Sequence, residues 1–214
     1  MQTLALIDYG SGNLRSAQNA LMRAVGATPG GAEIAVTADP ETVARADRIV
    51  LPGVGAFAAC RAALMARDGL VEALTEAVHG RGVPFLGVCV GMQLLASRGL
   101  EFGETPGLDW IPGEVRRLEP ADPACKVPHM GWNAIGEVSR AGEALGLRDG
   151  VTMYFTHSFA YHAADPADVA AWTDHGGRFA AAVARGNVAG VQFHPEKSQS
   201  SGLSLLARFL EWRP

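Results

Sequence analysis

Apolar positions fall into two rhythms along the first hundred residues. Thr3-Leu4-Ala5-Leu6-Ile7-Asp8 is a short continuous apolar run that closes on a polar residue, the pattern of a parallel strand buried on both faces. Tyr9-Gly10-Ser11-Gly12 then makes a tight loop. Leu14, Ala17, Leu21, Ala24 and Val25 follow at helical spacing until Gly26 ends the helix. A strand over 33–36, a helix from about Pro40 and a strand over 48–51 repeat the alternation, and Pro52-Gly53-Val54-Gly55 interrupts it. Helices over 56–66 and 70–79 come next, and Val83-Pro84-Phe85-Leu86 leads another strand towards Cys89. Alternating strands and helices predict a parallel sheet with helices on both faces.

After Arg98 the texture changes. Glycine, proline and turn residues become frequent, and short strand candidates stand at 114–118, 152–155, 168–171, 179–184 and 188–193. The turn Arg185-Gly186-Asn187 between two of them predicts an antiparallel or mixed extension of the sheet. An amphipathic helix over 201–212, with Leu203, Leu206, Phe209 and Leu210 on one side and Ser200 or Ser201 as its cap, closes the chain. The expectation is an α/β fold: a central, mostly parallel or mixed sheet flanked by helices, in one domain spanning 1–214, with no linker, repeat or low-complexity tract.

Composition narrows the possibilities. The chain has 214 residues, 48% of them hydrophobic and 19% charged, which suits a packed domain with an adequate core. A net charge of -4 gives no ground for a nucleic-acid partner. No apolar run reaches the length of a membrane span, and Met1-Gln2-Thr3-Leu4 does not open a signal segment. The three cysteines, Cys60, Cys89 and Cys125, show no metal-type spacing; they fit a reducing cytosol, and neither a metal nor an organic cofactor is expected. Of the 18 basic residues only Lys126 and Lys197 are lysine, a bias that says nothing about binding but singles those two out.

Candidate chemistry starts at Cys89, in Gly87-Val88-Cys89-Val90-Gly91 between the apolar strand and Met92-Gln93-Leu94-Leu95. A sharp strand-to-helix turn strains its central residue and pushes that side chain above the sheet, so small residues are needed on both sides. The following helix points its amino end at the sulfur and favours the thiolate. Far downstream, His194-Pro195-Glu196 ends the last predicted strand, where positions i and i+2 project to the same side. A carboxylate there fixes the imidazole tautomer and stabilises the imidazolium, as an acyl-transfer base requires. A lone cysteine in apolar sequence packs as a core residue, and a lone His-Glu pair decorates a strand end. Together, at the carboxyl ends of parallel strands, they make a set of nucleophile (Cys89), base and acid (His194) and orienting carboxylate (Glu196). Oxyanion donors are expected from the backbone N–H of Val90 and from the loop at Gly53 and Val54; the alternative for that loop is a plain strand-to-helix turn.

These residues carry a resemblance. The order of the three groups, the elbow from Gly87 to Gln93, and Gly190-Val191-Gln192-Phe193-His194-Pro195-Glu196-Lys197-Ser198 resemble class I (triad) glutamine amidotransferases. More narrowly, the chain is similar to the glutaminase subunits of imidazole glycerol phosphate synthases. Asp8-Tyr9-Gly10-Ser11-Gly12-Asn13-Leu14, Leu51-Pro52-Gly53-Val54-Gly55-Ala56-Phe57, Pro128-His129-Met130-Gly131-Trp132-Asn133 and Tyr154-Phe155-Thr156-His157-Ser158 match that family in order and spacing. The resemblance covers essentially the whole chain and implies the family's flavodoxin-like architecture.

It also implies a reaction: glutamine acylates Cys89 and releases ammonia, and water activated by His194 frees glutamate. Gln93, Glu101, Ser158 and the backbone around Gly53 and Phe159 match the positions that hold glutamine. Glu101 suits the α-ammonium by charge, although a solvated helix-end glutamate is the simpler account without the family, and Phe159 stands where tyrosine is frequent. The implied partner is a (βα)8-barrel cyclase that receives ammonia internally, forming a heterodimer. Trp132 resembles the aromatic interface anchor, with Tyr154, Asn13 and Lys197 on the same mouth and Lys197 in a gating or interfacial ion pair; the alternatives are a core tryptophan and an exposed lysine. Two enzymatic rivals remain. Gly10-Ser11-Gly12 suggests a dinucleotide fingerprint, but Arg15 occupies the third glycine's place. A thiol peptidase or stand-alone amidase would turn over without a partner. A non-catalytic binding module is disfavoured because Cys89, His194 and Glu196 are all present.

Overall fold

The computed structural model describes residues 2–214; Met1, the first residue of the expected domain, lies outside the described residues. The chain opens with β1 (Gln2–Ile7), α1 (Leu14–Gly26), β2 (Ala32–Thr37), α2 (Pro40–Arg45) and β3 (Arg48–Gly53). Then come α3 (Phe57–Met65), α4 (Leu70–Thr75), a π-helical turn at Glu76–Gly80, β4 (Phe85–Cys89) and α5 (Val90–Gln93). The second half contains β5 (Arg98–Gly99), β6 (Thr105–Pro106), β7 (Gly113–Arg117), β8 (His129–Ala134), α6 (Arg140–Ala144), β9 (Thr152–His157) and β10 (Phe159–Ala163). It ends with β11 (Val169–Asp174), β12 (Arg178–Arg185), β13 (Val188–Val191) and α7 (Gln199–Glu211).

Seven strands form the central sheet in the order β11-β12-β13-β4-β3-β1-β2. From β13 to β2 every pairing is parallel, and β11 and β12 extend the sheet antiparallel, as the two rhythms of the sequence imply. Arg185 pairs with Val188 around a two-residue turn in which Gly186 takes φ +57°. The central strands are apolar on both faces because helices cover both; Phe85–Cys89 is buried throughout. α1 packs on α7 and α2 on α4. Because β4 lies between β3 and β13, the ends of all three strands meet at one place: Gly53 pairs with Cys89, and Val191 pairs with Val88. Among the described residues no helix is long and apolar enough to cross a membrane.

Several local expectations need correction. β3 runs on through Pro52 and Gly53 instead of ending at Leu51, because its parallel register with β4 continues to Cys89. The helix after Cys89 is a single turn, Val90–Gln93, and does not run on through Leu94 and Leu95. The carbonyls of Leu94, Leu95 and Ala96 accept from Leu108, Trp110, Ile111 and Asp109 of an incoming loop and are lost to helix extension. β13 stops at Val191, and His194-Pro195-Glu196 is a 3-10 turn instead of extended chain: Lys197 N–H donates to His194 O at 3.1 Å. The cap of α7 is Ser198, not Ser200 or Ser201, and its hydroxyl donates to His194 O at 2.7 Å while accepting from Tyr154 N–H at 3.0 Å. The strands β5, β6, β8 and β10 and the helix α6 had no clear periodic signal, being short or half-exposed.

Candidate active site

Cys89 ends β4 and opens α5 with φ 55° and ψ -112°, a left-handed backbone held by its neighbours. The flanking glycines permit the turn. A Cβ on Gly91 would sit 1.9 Å from Leu51 O, and one on Gly87 would sit 2.5 Å from Gly91 O, so α5 presses directly against β3 and β4.

His194 approaches from the end of β13. Its Nδ1 donates to Glu196 Oε1 at 2.8 Å, and both side chains are more than nine-tenths buried. The 3-10 turn brings imidazole and carboxylate together as the extended geometry was expected to do. Nε2 is buried with no hydrogen-bond partner, and His194 lines the same cavity as Cys89. Burial pulls the His194 pKa down, but the Cys89 sulfur and the Glu196 carboxylate outweigh it and hold it up at about 9. Nε2 thus makes no hydrogen bond within the protein, while the sulfur nearby helps hold the imidazolium.

A cavity of about 310 Å³ opens over the sulfur, lined by Cys89, Val90, Gln93, Glu101, Ser158 and His194 among others. Val54, Phe159 and Lys197 also border it, so most of the residues singled out from sequence converge here. Glu101 accepts from Phe57 N–H at 2.7 Å and so caps α3, whose own cap residue Ala56 supplies no side-chain bond. It is neither at the end of its own helix nor free. Both hydrogens of the Gln93 amide are engaged, by Phe159 O and Gln192 Oε1 at 3.0 Å each, which leaves its Oε1 for a ligand.

Of the expected oxyanion donors, Val90 begins α5, and its N–H has no intrahelical partner. The N–H of Val54 is turned away: it donates to Ser11 Oγ at 3.2 Å, while Ser11 Oγ donates to Val54 O at 2.8 Å. Cys60 Sγ also donates to Val54 O, at 3.2 Å, and Tyr9, its hydroxyl kept protonated by burial, donates to Pro52 O at 2.8 Å. Ser11, Cys60 and Tyr9 thus fix the loop beside Cys89. Sequence inspection missed these roles; the one available signal was a hydroxyl between Gly10 and Gly12, where a Cβ on Gly12 would lie 3.1 Å from the Pro52 side chain.

At the mouth, Trp132 of β8 is 48% exposed, which removes the core alternative, and it meets the Tyr154 ring edge-on at 5.9 Å. Lys197 Nζ lies 5.7 Å from the centre of the same ring. Asn13 caps α1 and lines a narrow crevice on the other side of His194, with Gly53, Val54 and Glu196. It does not border the cavity over Cys89. No group of three or more His, Cys, Asp or Glu residues is placed to hold a metal among the described residues.

The model of the family described as "Glutamine amidotransferase class-I" matches residues 5–212. A protein of Caulobacter vibrioides described as "Imidazole glycerol phosphate synthase subunit HisH" is 64% identical over the full length of both chains. One of the same description from Rhodospirillum rubrum is 56% identical over 99% of each. Among solved structures, one described as a glutamine amidotransferase superposes with a TM-score of 0.72 at 20% identity, covering 97% of each chain. The glutaminase domain of Trypanosoma brucei CTPS, with bound acivicin, gives 0.64 at 17% identity over 100% of this chain and 96% of that one. These two likenesses speak for the fold.

Proposed function

Since the chain belongs to the class-I glutamine amidotransferases, and within them to the HisH subunits of imidazole glycerol phosphate synthase, we propose that Cys89, His194 and Glu196 are its catalytic triad. We propose further that they act within one glutaminase domain spanning the chain. Its activity is glutamine hydrolysis that supplies ammonia to a synthase partner in histidine biosynthesis.

The observation that carries the triad is the 2.8 Å bond from His194 Nδ1 to Glu196, which leaves Nε2 unpartnered beside the strained Cys89. The Cys89 thiol passes its proton to Nε2, and the sulfur attacks the side-chain amide carbon of glutamine. Val90 N–H receives the oxyanion, and the peptide of Gly53 and Val54 adds a second donor once Val54 N–H leaves Ser11. His194 then returns the proton to the departing nitrogen, and ammonia leaves a thioester. Water, deprotonated by the same imidazole, attacks that thioester and frees glutamate. Glu101 takes the α-ammonium, and Gln93 Oε1, Ser158 and the Phe159 backbone hold the remainder of the amino acid.

Ammonia is a nucleophile only while unprotonated, so its release belongs against a sealed acceptor. The partner is a (βα)8-barrel cyclase docked on the face that carries Trp132, Tyr154 and Lys197, with Lys197 at the interface and Asn13 reached from the crevice beside His194, in a cytoplasmic heterodimer. An assay of glutamate release with and without the cognate cyclase and its ribonucleotide ligand tests this. Weak turnover alone and at least about tenfold stimulation by the pair are expected. Full activity without a partner would favour the stand-alone amidase.

Trp132→Ala is expected to weaken docking by about 2 kcal/mol, roughly a thirtyfold rise in Kd by calorimetry. Half its ring is already in solvent, so thermal stability should change little. An unchanged Kd would remove Trp132 from the interface.

A further inference from the structure

Gln192 is wholly buried between β13 and His194, and its side chain has no part in the mechanism above. Its Nε2 donates to Cys89 Sγ at 3.7 Å, within reach for a sulfur acceptor. A glutamine amide could face the sulfur with either end, so what matters is whether something fixes its direction.

The chain of hydrogen bonds behind it does so. Phe159 O, a carbonyl, can only accept, so the Gln93 atom 3.0 Å from it is nitrogen. That same nitrogen lies 3.0 Å from the Gln192 amide and must donate there too, so the Gln192 atom it meets is oxygen. The nitrogen of Gln192 is then left facing Cys89. From the other side, His157 Nδ1 lies 2.8 Å from the same Phe159 O and must carry a hydrogen. Burial pushes the His157 pKa down to about 3, so its Nε2 is a bare acceptor. His129 Nδ1 donates to it at 3.1 Å, and Asn133 Nδ2 donates to His129 Nε2 at 3.3 Å. Asn133 cannot turn over, because its oxygen accepts from Ala134 N–H at 2.8 Å and its nitrogen donates to Asp174 O at 2.7 Å. Donors thus converge on one backbone carbonyl from β9, backed by β8, and from α5, and each amide between that carbonyl and the sulfur has one permitted orientation.

We infer that Gln192 is a dedicated N–H donor to the Cys89 sulfur, stabilising its ionised form, and that Phe159 O fixes its direction through Gln93. The inference rests on Cys89 being the nucleophile. The pinned donor complements His194: the imidazole removes the proton, and an N–H on another side of the sulfur keeps the negative charge in place.

The test is the rate at which iodoacetamide alkylates Cys89 in the full chain at neutral pH, followed by peptide mass spectrometry with the half-buried Cys125 as internal reference. Gln192→Met keeps length and neutrality without a donor. Labelling is expected to slow about three- to fourfold. Gln192→Glu keeps the shape and the bond from Gln93 but turns an oxygen towards the sulfur. It should label more slowly still, whereas a packing role predicts the wild-type rate. Labelling of both variants at the wild-type rate overturns the donor and leaves the nucleophile standing. If Gln192→Met does not fold, Gln192→Glu alone decides on the same criterion. A wild-type Cys89 no more reactive than Cys125 overturns the nucleophile, and the inference with it.

Discussion

Cys89→Ala is expected to reduce glutamine hydrolysis to background, a loss of at least about a thousandfold, while the assembled pair still makes product from added ammonium. The two halves of that result have separate physical origins. Without Sγ no thioester forms, and His194 with Val90 N–H cannot supply a substitute nucleophile of comparable strength. Folding is spared because alanine meets the same backbone demand, φ 55°, that cysteine already tolerates, and it removes only one atom from a side chain that borders a cavity. Melting temperature and partner affinity should therefore stay near wild type. Retained glutamine hydrolysis would end the triad assignment. Loss of ammonia-dependent synthesis as well would make Cys89 a structural residue of the pair.

The legible and illegible parts of this molecule divide along physical lines. β1, β3 and β4 were plain because strands buried on both faces need unbroken apolar runs, and α1 was plain because one face alone is buried. Cys89 and His194 stand out because each sits in a short segment whose chemistry is local: glycines around Cys89, and a carboxylate two residues from His194. Groups that act through contacts distant in sequence left no such trace. Ser11 touches Val54, Glu101 caps α3, and Gln192 touches Cys89, at separations of 43, 44 and 103 residues. The same distinction resolves Gly10-Ser11-Gly12. Its glycines let a hydroxyl and a backbone turn press on the Pro52 loop, a packing duty that resembles a phosphate cradle only when the neighbouring strand is out of view. Trp132 shows the converse: a core tryptophan is the alternative its residue type leaves open, yet a half-exposed indole on a two-stranded ribbon suits a surface made for contact.

Gly91→Ala should cost more than any substitution that merely empties the site, because it acts on the scaffold of the elbow. The added methyl would lie 1.9 Å from Leu51 O and 2.9 Å from Leu51 C, both backbone atoms of a strand paired on each side. No side-chain rotation relieves that overlap; α5 must lift off β3. Lifting α5 carries Val90 N–H and the Cys89 sulfur away from His194, so activity and stability should fall together. A loss of roughly 3 kcal/mol is expected, more than ordinary core overpacking because the obstacle is main chain. For a chain of this size that corresponds to a fall in Tm of about 6–12 °C, with glutaminase activity down at least about a hundredfold. Gly26→Ala is the control, since a Cβ there meets nothing within 4 Å at the end of α1, and its Tm should equal or slightly exceed wild type. A Gly91→Ala protein that melts like the control and keeps its activity would mean that α5 does not rest on β3 and that the strained geometry of Cys89 is held by something else.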